Sequence, residues 1–156
     1  MQDEAGIDIV FVGDSVGPMF SAIKTRRSDD GRYVHHLKAV RRGVTDAYLL
    51  VDMPYAADRD VTQAITNAKL FVSDGADGVI IGRWCRKVLS PHFVSALTEH
   101  GIDTCAHIGH NPQIHGTKAS THGRTFAKAK QLIEAAEALS QTLARNSSSS
   151  RKSLKR

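Results

Sequence analysis

A recurring joint constrains this chain more than any other feature. The sequence reads Gly6-Ile7-Asp8, Gly43-Val44-Thr45-Asp46, Gly75-Ala76-Asp77 and Gly101-Ile102-Asp103, with successive glycines 37, 32 and 26 residues apart. Glycine suits the left-handed residue that ends a helix. Each of these four is followed within a few residues by an apolar run: 7–12, 48–51, 78–81 and 103–108. Those runs read as strands, and the spacing is that of a repeated strand–helix unit. Strands alternating with helices imply an α/β fold with a parallel sheet and right-handed crossovers.

The intervening segments carry helical patterns. Residues 60–73 are the clearest, with Val61, Ile65, Ala68 and Val72 on one face. Residues 33–42 and 93–100 are shorter. Residues 126–143 form a long amphipathic stretch whose expected buried stripe is Phe126, Ala129, Ile133, Ala136, Leu139 and Leu143. In the first strand five of the six residues from Ile7 to Val12 are apolar, which predicts burial on both faces.

Ligands of α/β folds bind at the C-terminal ends of the strands. The first strand delivers Asp14 and Ser15 there, after the turn at Gly13. The second delivers Asp52 before Met53-Pro54. The third runs into Gly82-Arg83-Trp84, and the fourth into His107, Gly109 and His110. Two carboxylates on adjacent strand ends could share a Mg²⁺, which prefers oxygen ligands and keeps several waters. Aspartates acting only as a helix cap or turn residues are the alternative.

The eight histidines give no zinc signature. His35 and His36 are adjacent and so point to different faces of a helix. His107 and His110 straddle a glycine, and His115 and His122 lie in a Gly/Thr/Ser-rich loop. Ordinary polar histidines account for all of them except His107, which closes a strand. Cys85 and Cys105 form neither a disulfide framework nor a metal cluster, which fits a reducing compartment.

The net charge of +5 points to nucleic acid only superficially. Arg145, Arg151, Lys152, Lys155 and Arg156 fall in the last twelve residues, which hold no acid, and the rest carries 16 basic and 16 acidic side chains. The expectation is a neutral domain over 1–144 and a basic, Ser-rich, disordered tail over 145–156. No run of 18 apolar residues suggests a membrane span, and the acidic start Met1-Gln2-Asp3-Glu4 is not a signal peptide. A cytoplasmic protein with no membrane partner follows.

Five collinear stretches carry a family resemblance. They are Asp3-Glu4-Ala5-Gly6-Ile7-Asp8 running into Val12-Gly13-Asp14-Ser15; His36-Leu37-Lys38-Ala39-Val40-Arg41-Arg42-Gly43; Val51-Asp52-Met53-Pro54-Tyr55; Gly75-Ala76-Asp77-Gly78-Val79; and Ala106-His107-Ile108-Gly109 before Asn111-Pro112-Gln113. Over residues 3–139 the chain resembles ketopantoate (3-methyl-2-oxobutanoate) hydroxymethyltransferases. The resemblance implies part of a (β/α)₈ TIM barrel with about four parallel strands. It implies transfer of a hydroxymethyl group from 5,10-methylenetetrahydrofolate to 3-methyl-2-oxobutanoate, giving 2-dehydropantoate in pantothenate biosynthesis. Asp14 and Asp52 would be the Mg²⁺ ligands, and Asp14, Ser15, Asp52 and His107 would contact the 2-oxo acid. The partners it implies are that acid, the folate and a homo-oligomer.

The departures from the family pattern are specific. After the third strand the family has Lys-x-Glu-Gly-Gly, with the Lys on the substrate carboxylate and the Glu at the metal. Here Ile80 and Gly82 stand at those positions, with Arg83 beside them. The family's catalytic carboxylate base lies on a later strand and has no counterpart in this sequence. Its first strand has no counterpart either. A complete barrel typically takes about 250 residues, and four parallel strands alone leave two open edges. A reading-frame shift after Leu139 would turn a valine-rich strand into such a serine-rich tail. Weak or absent activity is therefore expected. Two other functions remain open: a Mg²⁺-dependent 2-oxo-acid lyase or mutase on a related barrel, and a non-catalytic fragment binding through its basic tail.

Overall fold

A computed structural model describes residues 2–13, 30–54, 57–82, 91–110 and 121–146. Four strands and four helices alternate: β1 (Ile9–Val12), α1 (Asp30–Arg41), β2 (Tyr48–Asp52), α2 (Val61–Ser73), β3 (Gly78–Ile81), α3 (Pro91–Glu99), β4 (Thr104–Ala106) and α4 (Phe126–Asn146). All strand pairs are parallel, in the order β1-β2-β3-β4. Spatial order equal to chain order has no reversal point. With right-handed crossovers it puts the three connecting helices, α1 to α3, on one side of the sheet, as in a barrel wall.

Register fixes the two faces. Ile9 pairs with Tyr48, Phe11 with Leu50, Leu50 with Gly78, Asp52 with Ile80, and Ile80 with Cys105. These residues share the face that would line a barrel. The opposite face carries Val10, Val12, Leu49, Val51, Val79 and Ile81, all buried against Leu37 of α1, Ala64, Ala68 and Phe71 of α2, and Phe93, Val94 and Leu97 of α3. Burial of such side chains is worth roughly 1.5–3 kcal/mol each, so this layer holds the fold.

Burial of β1 on both faces does not hold. Val10 and Val12 are buried, but Ile9 and Phe11 are 54% and 53% exposed, because the described elements leave most of the barrel-lining face uncovered. The stripe on α4 is also corrected. Phe126 and Ile133 are 86% and 58% exposed, whereas Leu139 is buried and Leu143 packs against the core. The C-terminal half of the helix meets the core, on a face that includes the half-buried Leu132 and Ala135. The helix runs to Asn146, two residues into the expected tail; 147–156 lie outside the described residues.

The glycine joints take the expected left-handed conformation at three of four places, and two of these, Gly75 and Gly101, follow a described helix. Gly6, Gly75 and Gly101 have φ of +73°, +108° and +70°. Gly43 is not in the left-handed region; its amide donates to Val40 O in an ordinary tight turn after α1. At Gly75 a side chain would also run into Arg41, which donates to Gly75 O and pairs with Asp77 at 3.0 Å. Asp60 caps α2 by accepting from Gln63 N, so the helix proper begins one residue inside the expected span.

Candidate active site

The C-terminal ends of the strands form the candidate site. Asp52 closes β2 on the barrel-lining face, in register with Ile80, which is level with Cys105. His107 follows β4 two residues beyond Cys105, and its amide donates to Ile81 O. The sheet thus brings Asp52 and His107 to one end, with the aliphatic Ile80 between their strands. Asp14 and Ser15 lie outside the described residues, as does Arg83.

A tyrosine holds this end together. Tyr33 is buried on α1, and its hydroxyl lies 2.9 Å from Val12 O and 2.7 Å from Asp52 O, donating to carbonyls at the ends of both β1 and β2. Its ring packs on Phe71 at 5.6 Å between centroids. The helix therefore fixes the backbone at Asp52 and one residue before Gly13. The sequence shows Tyr33 and Leu37 at helical spacing, so burial was legible. The reach of the hydroxyl to two strand ends was not.

Cys105 reports on the charge nearby. Its thiol is pushed above the ordinary range, first by partial burial and then by the negative charge of Asp52. Asp52 is thus close enough to act on the next-but-one strand across Ile80. At the other end of the same face Tyr48 donates to Asp77 O at 2.9 Å and lies 3.2 Å from Asp103 Oδ2. Burial first, then the Asp103 carboxylate, raises its phenol well above the usual range. A groove of about 370 Å³ lies at this end, lined by Ile9, Tyr48, Leu50, Cys105 and Leu143. It does not include Asp52 and lies toward the strand starts, away from the candidate site.

Among the described residues no group of three potential metal ligands is gathered. Among the described residues in register with it, Asp52 is the one carboxylate, because Ile80 and Cys105 offer no carboxyl oxygen. Mg²⁺ accepts one or two carboxylates and completes its shell with water and substrate oxygens. The donor chemistry of Asp52 fits that ion, and the aliphatic neighbour leaves the shell open.

The model of the ketopantoate hydroxymethyltransferase family matches residues 1–144. The chain belongs to this family. It is similar to the 3-methyl-2-oxobutanoate hydroxymethyltransferase of Colwellia psychrerythraea, 35% identical over 147 residues, and to that of Shewanella piezotolerans, 36% identical over 146 residues. Each comparison covers 88% of this chain and 52% of the relative. The chain therefore spans about half the length of these hydroxymethyltransferases. Its four-stranded parallel sheet corresponds to part of the family's barrel. No helix among the described residues is long and apolar enough to cross a membrane.

Proposed function

We propose that this chain carries the 2-oxo-acid side of a hydroxymethyltransferase site. In this reading Asp52, with Asp14, holds Mg²⁺, and 3-methyl-2-oxobutanoate lies over the strand ends within reach of Ser15 and His107. The co-substrate is 5,10-methylenetetrahydrofolate and the product 2-dehydropantoate. The observation that supports it is the position of Asp52, ending β2 on the barrel-lining face of a chain matched by the family over residues 1–144. A cytoplasmic location and a homo-oligomeric assembly come with the same reading.

The residues divide the work unevenly. Bound Mg²⁺ would supply a Lewis acid that polarises the ketone and stabilises negative charge on its oxygen. Tyr33 keeps the Asp52 backbone in place, so the carboxylate is presented without reorganisation. Ile80 offers the substrate carboxylate no cation, since an aliphatic side chain cannot replace an ammonium. Carbon–carbon bond formation also needs a base to take the C3 proton, and the family's base has no counterpart within these 156 residues. A base is worth roughly 10²–10⁴-fold, and an electrostatic stabiliser about 10²–10³-fold. Binding without efficient transfer is the expected behaviour.

Supplied with Mg²⁺, 3-methyl-2-oxobutanoate and 5,10-methylenetetrahydrofolate, the purified chain should form ketopantoate little faster than a no-enzyme control. Turnover at an ordinary enzymatic rate, abolished by Asp52→Ala, would show that another residue serves as base. Cleavage or rearrangement of the oxo acid without the folate would instead favour a lyase or mutase.

A further inference from the structure

Beyond the strand-end carboxylates, two histidines that follow β4, twelve positions apart in the sequence, come together. His122 Nε2 lies 3.4 Å from His110 Nδ1, and the rings stand 5.6 Å apart between centroids at 49°. Both side chains are half-buried. We propose that His110 and His122 form a binding site for a borderline divalent cation, with Zn²⁺ as the best fit.

The separation is what distinguishes the site. At 3.4 Å the contact lies at the long end for an N–H···N hydrogen bond. Two nitrogens bound to one tetrahedral zinc at about 2.0–2.1 Å are about 3.3–3.4 Å apart. A cis pair on an octahedral ion with similar bonds would be closer, at about 2.9 Å. Imidazole is a good ligand for Zn²⁺, Ni²⁺ and Cu²⁺ and a poor one for Mg²⁺. The site is therefore chemically separate from the carboxylate at Asp52.

The backbone holds both rings from outside the pair. His107 Nε2 is 2.9 Å from His110 O, which ties the loop back to the end of β4. Gly109, with φ of +96°, makes the turn between them. Gly123, with φ of +73°, follows His122 and lies against Ala129 and Leu132 of α4. A left-handed residue thus adjoins each histidine, and the two nitrogens already face each other in the metal-free chain. With no third ligand gathered among the described residues, water or an incoming anion would take the remaining positions. Such a site binds metal and stays open to exchange.

Zn²⁺ titrated into the full chain by calorimetry, in a non-coordinating buffer without oxo acid or folate, tests the site independently of the Asp52 reading. One ion should bind, and His110→Gln or His122→Gln should each weaken it roughly tenfold or more, because two prepositioned donors act as one chelate. The loss in the double variant should fall well short of the two single losses multiplied together, and His100→Gln should bind as the parent does. Zn²⁺ should raise the melting temperature of the parent but not of either variant, whose metal-free spectra and melting points report that they fold. Affinity changed less than twofold by His122→Gln, or single losses that multiply in full in the double variant, would overturn the chelate.

Discussion

Replacing Tyr33 by Phe removes one oxygen and leaves the packing intact, because the ring contact with Phe71 is retained. The hydroxyl stands 2.9 Å from Val12 O and 2.7 Å from Asp52 O, and the tyrosine is only 5% exposed. Its loss deprives two strand-end carbonyls of this donor, with little access for water to replace it. Breaking a buried hydrogen bond so that its partner is left without a donor costs about 1–3 kcal/mol. Two acceptors share one proton, so about 2 kcal/mol is expected rather than twice that. For a chain of this length that is a fall of roughly 4–8 °C in melting temperature. Urea unfolding followed by circular dichroism should show the lower midpoint with an unchanged slope. Amide exchange at the ends of β1 and β2 should rise more than at β4. Stability within about 0.5 kcal/mol of the parent, below the usual cost, would refute the role given to this hydroxyl. A uniform rise in exchange would refute its local action on the site.

Three further outcomes test other parts of the structure. Gly78→Ala places a methyl group against the Tyr48 hydroxyl and 3.1 Å from the Asp103 carbonyl, so it should destabilise by about 1–3 kcal/mol in the same urea assay; a neutral result would mean that Tyr48 moves freely. The Asp3 carboxylate accepts from Thr45 Oγ1 and from the amides of Thr45, Asp46 and Ala47, which together hold its pKa well below the usual 3.8. A lowered folded-state pKa stabilises above the unfolded value and is lost as pH falls beneath it. The protection of amides 45–47, measured as exchange relative to the free-chain rate at the same pH, should therefore fall on acidification below about pH 4, and Asp3→Asn should remove that step. Alkylation of Cys105, followed by peptide mass spectrometry, should speed up in Asp52→Asn, because the charge that helps raise the thiol pKa is gone; an unchanged rate would place Asp52 too far from it.

Much of the fold was legible because local signals agree with one another. The glycine joints and apolar runs set four βα units, and the periodicity over 60–73 places α2 to within one residue. Exposure was less legible, because it depends on what covers a face. An apolar strand such as β1 reads as buried on both sides, yet Ile9 and Phe11 face the uncovered side of the sheet. On α4 the repeat of small residues hid which side meets the core, and Phe126 proved exposed. Asp52 and His107 were visible as strand-end residues, since the end of a strand follows from the strand. The contact between His110 and His122 was not, because a separation of twelve positions follows no regular spacing. The two bonds of the Tyr33 hydroxyl likewise depend on how α1 lies over β1 and β2, which no local pattern specifies.

The most direct test of the proposed function is a calorimetric titration of 3-methyl-2-oxobutanoate with Mg²⁺ present and absent. We expect binding that needs Mg²⁺ and is lost in Asp52→Ala while the variant remains folded. Binding of equal strength without Mg²⁺, or unchanged by Asp52→Ala, would contradict a metal-assisted 2-oxo-acid site at the end of β2.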